Sequence, residues 1–315
     1  MTAVIPTWNR RELLESLFAS LNQQTRPPAE VIVIDNGSSD GAAEAAERFG
    51  ARVLRMGRNA GFAPAVNRGV RESRTETVAV LNNDVQLAPD YLERLAADLA
   101  APDVWFATGK IFDARDHSRI DGCWDALARS GCSWRAGAGR KDHALFSKPR
   151  RIAFSPATAV LYRREIFERV GFFEESFESY LEDVEFGLRC LLAGCGGWFN
   201  PAARAYHLGS GTLGEWHPDT VRRIARNQSW IAQRYLGLTG PVLAGQTLWG
   251  LVALRHGRFL PWLRGKLAAL RRRKQRTLEA GELLRASEDE IRELQRAAGP
   301  DIYWRLYFWI VRGRG

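Results

Sequence analysis

The 315-residue chain is poor in cysteine and lacks the usual nucleotide-binding glycine signatures. Its four cysteines, Cys123, Cys132, Cys190 and Cys195, show no CxxC spacing and no paired His/Cys pattern. A structural zinc is therefore disfavoured, and the thiols fit a reducing compartment. No GxGxxG follows the first strand-like run, which disfavours a dinucleotide-binding Rossmann site, and the absence of GxxxxGKS or GxxxxGKT removes a P-loop. The Gly-rich loop that nucleotidyltransferases carry after their first strand is also missing, and TWNR stands there instead. Met1 leads directly into TAVIP, so no secretory signal is expected. The long uncharged run, LGLTGPVLAGQTLWGLVAL at 236–254, covers 19 positions. That is nearly the length needed to cross a bilayer, about 20 residues, but Pro241, Gln246, two Thr and four Gly argue against a span.

What is present is a core-forming composition, 45% hydrophobic, with a net charge of +9. The first hundred residues alternate short apolar runs with amphipathic stretches. TAVIP (2–6) reads as a buried strand, followed by a helix with Leu13, Leu14, Leu17, Phe18 and Leu21 on one face, which Asn9 and Glu12 are expected to open as a capping box. VIVID (31–35) is a β-branched run suited to a parallel strand covered on both faces. A second helix, AAEAAERFG, and a third strand, ARVLRM, follow. The crevice outside the carboxyl ends of such strands is the usual ligand site. Asp35 stands at one of those ends, where it can accept from a base N–H or a ribose hydroxyl; turn chemistry explains DNGSSDG equally well.

RNAGFAPAVNRGV (58–70) reads as a loop entering a helix, with Arg58 and Asn59 either near the crevice or on the surface. TVAVLNNDV (77–85) reads as a further buried strand closed by Asn82, Asn83 and Asp84. Strand alternation would place Asn82 and Asp84 on one face, as oxygen ligands for Mg²⁺ or Mn²⁺ that in turn holds a diphosphate. Pro89 is expected in the first turn of the next helix. Residues 113–150 have weak periodicity and are expected to be loops or an irregular lobe, serving either an acceptor site or solvent-facing connection.

After RIAFSPATAVLYRR and EIFERVG, a strand and a short helix, comes the aromatic and acidic GFFEESFESY. The helix from about residue 183 is expected to bury Val184, Leu188, Leu191 and Leu192 and to end at Gly194. Glu182 and Asp183 then lie at its first turn, where the helix dipole favours ionisation and the neighbouring acid opposes it. Asp183 is either a general base or a helix-terminal acid. His207, between a strand and a Gly/Ser loop, is either structural or a metal or phosphate contact.

Taken in order, IPTWNR, VIVIDNGSSDG, RNAGFAPAVNRG, LNNDV, GFFEESFESYLEDVEFGLRCLLAG and AYHLGSG resemble the family 2 glycosyltransferases of the GT-A fold. The similarity runs over about residues 1–215 and points to the bacterial rhamnosyltransferase and galactofuranosyltransferase branch. It implies an α/β fold with a Rossmann-like mixed, mostly parallel sheet flanked by helices, and a helical C-terminal extension over 216–315. It also implies nucleotide-sugar contacts from Thr7, Asn9, Asp35, Asn36, Arg58, Asn59, Asn82, Asn83 and Asp84. Asp84 and His207 would bind Mg²⁺ or Mn²⁺, with Asn82 in place of the first acid of the Asp-x-Asp motif. Asp183 would be the catalytic base and Glu182 would orient or contact the acceptor. The implied reaction is inverting transfer of rhamnose or another hexose from a dTDP- or UDP-linked donor to a glycan or lipid-linked glycan. A nucleotidyltransferase and a non-catalytic carbohydrate-binding protein are the alternatives.

Residues 255–276 carry Arg and Lys without any acid, interspersed with Phe259, Leu260, Trp262 and Leu263, and DIYWRLYFWIVRGRG closes the chain. That mixture suits an anionic membrane surface, although the aromatics could equally pack on the catalytic domain or on a second subunit. Nucleic acid is set aside because the basic residues lie outside the α/β half. RTLEAGELLRASEDEIRELQRAAG (276–299) reads as a charged helix that could form a homodimer. The expected location is cytoplasmic, at the inner face of the plasma membrane.

Overall fold

β-branched runs ending in Asp or Asn, each followed by an amphipathic stretch, fold into an α/β layer structure. In the computed structural model, residues 1–209, 216–271, 280–299 and 301–312 are described. Ser210 and Gly211 of the histidine loop, the basic residues 272–276, the start of the charged stretch through 279, and Arg314 lie outside the described residues.

The chain divides into two compact units, residues 1–125 with 135–211, and residues 126–134 with 212–315. The first contains β1 (Thr2–Thr7), α1 (Arg11–Asn22), β2 (Glu30–Asp35), α2 (Ala42–Phe49), β3 (Arg52–Arg55), α3 (Phe62–Glu72), β4 (Thr77–Leu81), β5 (Val85–Leu87) and α4 (Tyr91–Asp98). It continues with β6 (Phe106–Asp113), β7 (Ile120–Gly122), Asp125 and Arg135 at the base of the hairpin strands β8 (Asp125–Leu127) and β9 (Ser133–Arg135), whose other residues belong to the second unit, and β10 (Arg150–Ile152). β11 (Ala159–Arg163), α5 (Glu165–Val170), α6 (Glu182–Leu192) and β12 (Gly197–His207) complete it.

The main sheet runs β10-β12-β6-β11-β4-β1-β2-β3, with β5 added to β12 and β7 to β6. β3, β2, β1, β4, β6 and β12 point one way, and β10, β11, β5 and β7 point the other. The sheet is thus mixed and mostly parallel, as expected. Ala3, Ile5, Val33, Ala79 and Leu81 pack with Leu14, Leu17 and Phe18 of α1 and Leu92 and Leu95 of α4 in one core. Because β1, β2 and β4 are parallel neighbours, Thr7, Asp35 and Leu81 all end at the same edge.

Gly109 on β6 shows how tightly the sheet centre is built. Its N–H donates to the Tyr91 hydroxyl at 3.2 Å, which donates to Ala159 O at 2.7 Å. A Cβ at Gly109 would collide with the Ala203 carbonyl and lie 2.6 Å from the Tyr91 ring.

Several local expectations are corrected. α1 is not opened by an Asn9–Glu12 box. Asn9 and Arg10 take left-handed backbone angles, and Asp40, from the loop after β2, accepts the Arg11 N–H at 2.8 Å. A cap supplied from thirty residues away leaves no local spacing to read. The strand expected over 77–85 breaks at Leu81, and residues 82–84 form a turn before β5. Asn82 N–H instead donates to Thr158 O at 2.8 Å. α4 begins at Tyr91, after rather than at Pro89. Residues 113–150 contain β7, β8, β9 and β10, three-residue strands too short to display a period. Leu191 and Leu192 are half-buried rather than buried. The four cysteines are free, buried thiols.

The second unit contains α7 (Pro218–Ile231), α8 (Gly240–Arg255), α9 (Phe259–Arg271), α10 (Leu284–Ala298) and α11 (Ile302–Arg312). At its centre the buried Glu288 accepts from the Arg129 guanidinium at 2.8 Å and from the Tyr307 hydroxyl at 2.7 Å, with Arg312 at 3.5 Å. A buried carboxylate needs such compensation to stay ionised. Among the described residues no helix is long and apolar enough to cross a membrane.

Gly109→Ala is expected to destabilise the protein by about 1–3 kcal/mol, measured as a lower midpoint in urea. An unchanged midpoint would mean that the irregularity of β12 between Asn200 and Arg204 absorbs the methyl group.

Candidate active site

Three strand ends and two loops build the site. At the end of β1, the Thr7 hydroxyl accepts from Asn83 Nδ2 at 3.0 Å, which fixes the 82–84 turn against TWNR. Asn9 N–H donates to Ser38 Oγ at 2.8 Å, while Asn9 Oδ1 accepts from Ser39 N–H at 2.9 Å. Asp35, 4% exposed at the end of β2, accepts the Ser38 N–H at 2.9 Å. It therefore serves its own turn, with its second oxygen not used in that bond.

The buried Asn36 is an anchor. Its Nδ2 donates to Gly61 O at 3.1 Å and its Oδ1 accepts from Ala60 N–H at 3.3 Å, while Asn59 Oδ1 accepts from Gly61 N–H at 3.0 Å. This pins the loop carrying Arg58, whose side chain is exposed. Gly61, at φ 98°, lies so close to residue 178 that a Cβ would stand 2.7 Å from the Glu178 carbonyl. The same carbonyl accepts the Ala63 N–H at 2.9 Å, and Ser179 Oγ accepts the Phe62 N–H at 3.2 Å. Glu178, Tyr180 and Leu181 all have positive φ, so the loop leading into α6 is strained as well as tied. Strain of this kind persists only where surrounding contacts enforce it.

His207, at the end of β12, faces Asp84 through Nε2 and Asp121 through Nδ1, both at 3.0 Å. Asn82 Nδ2 lies 3.4 Å from the same Nε2. Burial works against the imidazolium, but Asp121 and Asp84 outweigh it and hold the His207 pKa up at about 9. The two carboxylates sit on opposite sides of the ring. Among the described residues no three His, Cys, Asp or Glu side chains converge on one point as a metal cage.

Asp183, in the first turn of α6, accepts Val184 N–H at 2.8 Å through Oδ1 and Ala157 N–H at 3.2 Å through Oδ2. Arg135 Nη2 is 3.8 Å from Asp183 Oδ2 and is itself forked onto Asp125 at 2.9 and 3.2 Å. Burial, then the Asp125 charge, raise the Asp183 pKa to about 6 against the pull of Arg135 and the two N–H donors. Glu182 beside it is buried.

Asn82 and Asp84 lie beside His207 and Asn83 is tied to Thr7, whereas Asp35 bonds to its own turn, Asn36 and Asn59 hold residues 60–61, Arg58 is exposed, and Asp183 stands with Arg135 and Asp125 in a separate set. Asp121, Asp125, Arg135, Ser38 and Ser179 were not anticipated. The acids of DGCWD and Arg135 lie in the segment without periodicity, and only their charge beside buried aromatics could have flagged them.

A mostly parallel sheet with acids and amides along its carboxyl edge, and an acid at the start of a helix beside it, is an arrangement consistent with the GT-A type of fold. The chain belongs to glycosyl transferase family 2, whose model matches residues 2–171. It is 28% identical to an N-acetylglucosaminyl-diphospho-decaprenol L-rhamnosyltransferase of Mycobacterium tuberculosis over 313 residues, covering 89% of this chain and 99% of that protein. Among solved structures it resembles mannosyltransferase PcManGT from Pyrobaculum calidifontis in complex with GDP-Man and Mn²⁺, with TM-score 0.55 and 18% identity over 100% of this chain and 87% of that one. It also resembles GalNAc-T7 with UDP, GalNAc and Mn²⁺, with TM-score 0.64 and 14% identity over 98% of this chain and 56% of that one. These two likenesses concern the fold. The protein transfers a sugar from a nucleoside-diphosphate donor to an acceptor.

Asn36→Ala, which removes both bonds to the 58–61 loop, is expected to cost about 1–3 kcal/mol and to speed amide exchange at Ala60. Unchanged protection of Ala60 would show that the loop is held by Gly61 and the Glu178–Ser179 contacts alone.

Proposed function

We propose that the protein is an inverting transferase that moves rhamnose or another hexose from a dTDP- or UDP-linked donor to a hydroxyl of a glycan or lipid-linked glycan. Asp183 carries this reading. It is largely buried, it is oriented by two backbone N–H groups, and its pKa of about 6 keeps it basic yet ionised near neutrality. In the proposed step the acceptor hydroxyl gives its proton to Asp183 as its oxygen bonds to the anomeric carbon. The bond from that carbon to the diphosphate oxygen breaks on the opposite face, and the nucleoside diphosphate leaves with the bonding pair. Glu182, adjacent and buried, would orient the acceptor. Thr7, Asn9, Asp35, Asn36, Arg58, Asn59, Asn82 and Asn83 would line the donor side.

Asp84 and His207 fit a divalent cation. An imidazole whose Nδ1 is held by Asp121 while Nε2 faces Asp84 has the supporting carboxylate usual for metal-bound histidine. Oxygen and nitrogen donors are compatible with Mg²⁺ or Mn²⁺, which when bound supplies positive charge against the diphosphate. The rhamnose assignment and the lipid-linked acceptor are supported by the similarity to the M. tuberculosis N-acetylglucosaminyl-diphospho-decaprenol L-rhamnosyltransferase.

We further propose that the second unit meets an anionic membrane at the inner face of the plasma membrane. Leu251 and Leu254 of α8, Leu260 and Leu267 of α9, and Trp309 of α11 are exposed, and Arg255, Arg264 and Arg271 are exposed on the same helices or at their ends. Apolar groups ringed by basic ones suit an anionic lipid interface.

The first test is calorimetric binding of dTDP- and UDP-sugars with Mn²⁺ or Mg²⁺ and with chelator, followed by turnover of the donor that binds. Asp183→Asn is expected to keep donor binding and lose transfer by a factor of about 100 or more. In the parent protein, activity should fall as pH drops through about 6, where Asp183 takes up its proton. Near-normal transfer by Asp183→Asn would sink the assignment.

For the surface, co-flotation with vesicles containing anionic lipid is expected at low salt and is expected to weaken with salt or with neutral lipid. No binding, together with a dimeric mass by light scattering, would place these helices against a second copy instead.

A further inference from the structure

The Asp125–Arg135 pair is not explained by the fold's need for a closed hairpin. The hairpin already has its backbone bonds, Cys123 N–H to Ala136 O at 3.0 Å and Ala136 N–H to Trp124 O at 2.8 Å. The ion pair nevertheless spans its base with a two-pronged fork through Nε and Nη2, and the same Nη2 lies 3.8 Å from Asp183 Oδ2. Asp125 is 4% exposed, and its N–H donates to Phe154 O at 3.2 Å. That bond ties the hairpin to the segment that presents Ala157 N–H to the same Asp183 oxygen. Space for the arrangement is reserved at Gly122, where a Cβ would stand 2.6 Å from Arg135 Cδ.

We propose that Arg135, clamped by Asp125, is a positioning residue for Asp183, a cation bridging two carboxylates that fixes the orientation and charge state of the second. The inference rests on reading Asp183 as the base. At 3.8 Å the Arg135–Asp183 contact is too long for a hydrogen bond. It acts as a charge whose place is set by the direct bonds to Asp125. Without Arg135, Asp125 and Asp183 would face each other as like charges. The other charged and titratable groups around this pair are Asp121 on β7, which acts on Arg135, Tyr162 on β11, which feels both Asp125 and Asp183, and Glu182, next to Asp183 on α6, which acts on Tyr162. Arg135 is the cation within 4 Å of Asp183 among the contacts described.

The two partners of the pair pull in opposite directions, which separates positioning from a merely structural role. Removing Arg135 takes away the charge that favours ionised Asp183. Removing the Asp125 charge takes away a repulsion and frees Arg135 to turn to Asp183. The experiment is a carboxyl ¹³C titration of protein labelled at aspartate Cγ, with the Asp183 resonance assigned by its loss in Asp183→Asn. Alongside it, the pH dependence of dTDP-sugar or UDP-sugar turnover is followed, with nucleotide binding by calorimetry as the control for folding.

The Asp183 midpoint is expected to rise by about one pH unit or more in Arg135→Met, to return toward the parent value in Arg135→Lys, and to fall in Asp125→Asn. A one-unit rise from about 6 would lower turnover at pH 6 about fivefold through ionisation alone, with nucleotide affinity unchanged. A midpoint that stays put in Arg135→Met, or moves the same way in Arg135→Met and Asp125→Asn, overturns the proposal. If Arg135→Met does not fold, an unchanged or raised midpoint in Asp125→Asn does so. Retained transfer by Asp183→Asn would instead remove the base reading, while the carboxyl titration still reports what Arg135 does to Asp183.

Discussion

A carboxylate withdrawn from water keeps its charge only beside a cation or several well-aimed donors, and the edge of this sheet gathers five of them. Asp35 is met by its own turn through Ser38 N–H, Asp84 and Asp121 share His207, and Asp125 and Asp183 share Arg135. The partners in each shared set come from distant parts of the chain. Asp84 follows β4 and His207 ends β12, while Arg135 and Asp183 are separated by two strands and a helix. The ionisation pattern therefore exists only when the sheet and the hairpin have both closed, which makes it a property of the fold rather than of any motif.

That dependence explains what the sequence disclosed. β1, β2 and β4 were legible because each is a short run of mostly apolar residues, and α1 and α6 because their apolar residues recur on one face. The edge location of Asp35 and the helical start at Glu182–Asp183 followed from those runs. Three-residue strands carry no period, so Asp121, Asp125 and Arg135 stayed hidden in a stretch that read as loop. The Asp40 cap on α1 was hidden for a related reason, since its acceptor comes from the next βα loop. Asn82 and Asp84 were assigned to one site by strand alternation, yet they meet His207 through a turn. Both lie beside His207, but from a turn rather than from alternate positions of a strand.

The 58–63 and 178–181 loops are coupled. Asn36 grips Ala60 and Gly61, the adjoining Phe62 and Ala63 N–H groups are taken by Ser179 and Glu178, and the strained backbone of residues 178–181 runs straight into Asp183. A shift in the 58–63 loop would pull on the approach to α6 through the Ala63 N–H to Glu178 O and Phe62 N–H to Ser179 Oγ bonds. A contact made by the 58–63 loop would then reach Asp183 through backbone, without a long side-chain relay.

Charge balance gives Asn82 a role in the proposed site. With His207 protonated, Asp84 and Asp121 leave the cluster one negative charge in excess; with a neutral imidazole and a divalent cation, the same two carboxylates are balanced. An aspartate at position 82, where Nδ2 lies 3.4 Å from His207 Nε2, would add a third negative charge to a largely buried group. That charge would favour the imidazolium further and so hold a proton on the nitrogen that a cation needs free. The amide avoids this because it carries no charge. In a cluster that already contains Asp121, replacing the first acid of the motif by Asn82 is therefore compatible with metal binding rather than a sign of its loss.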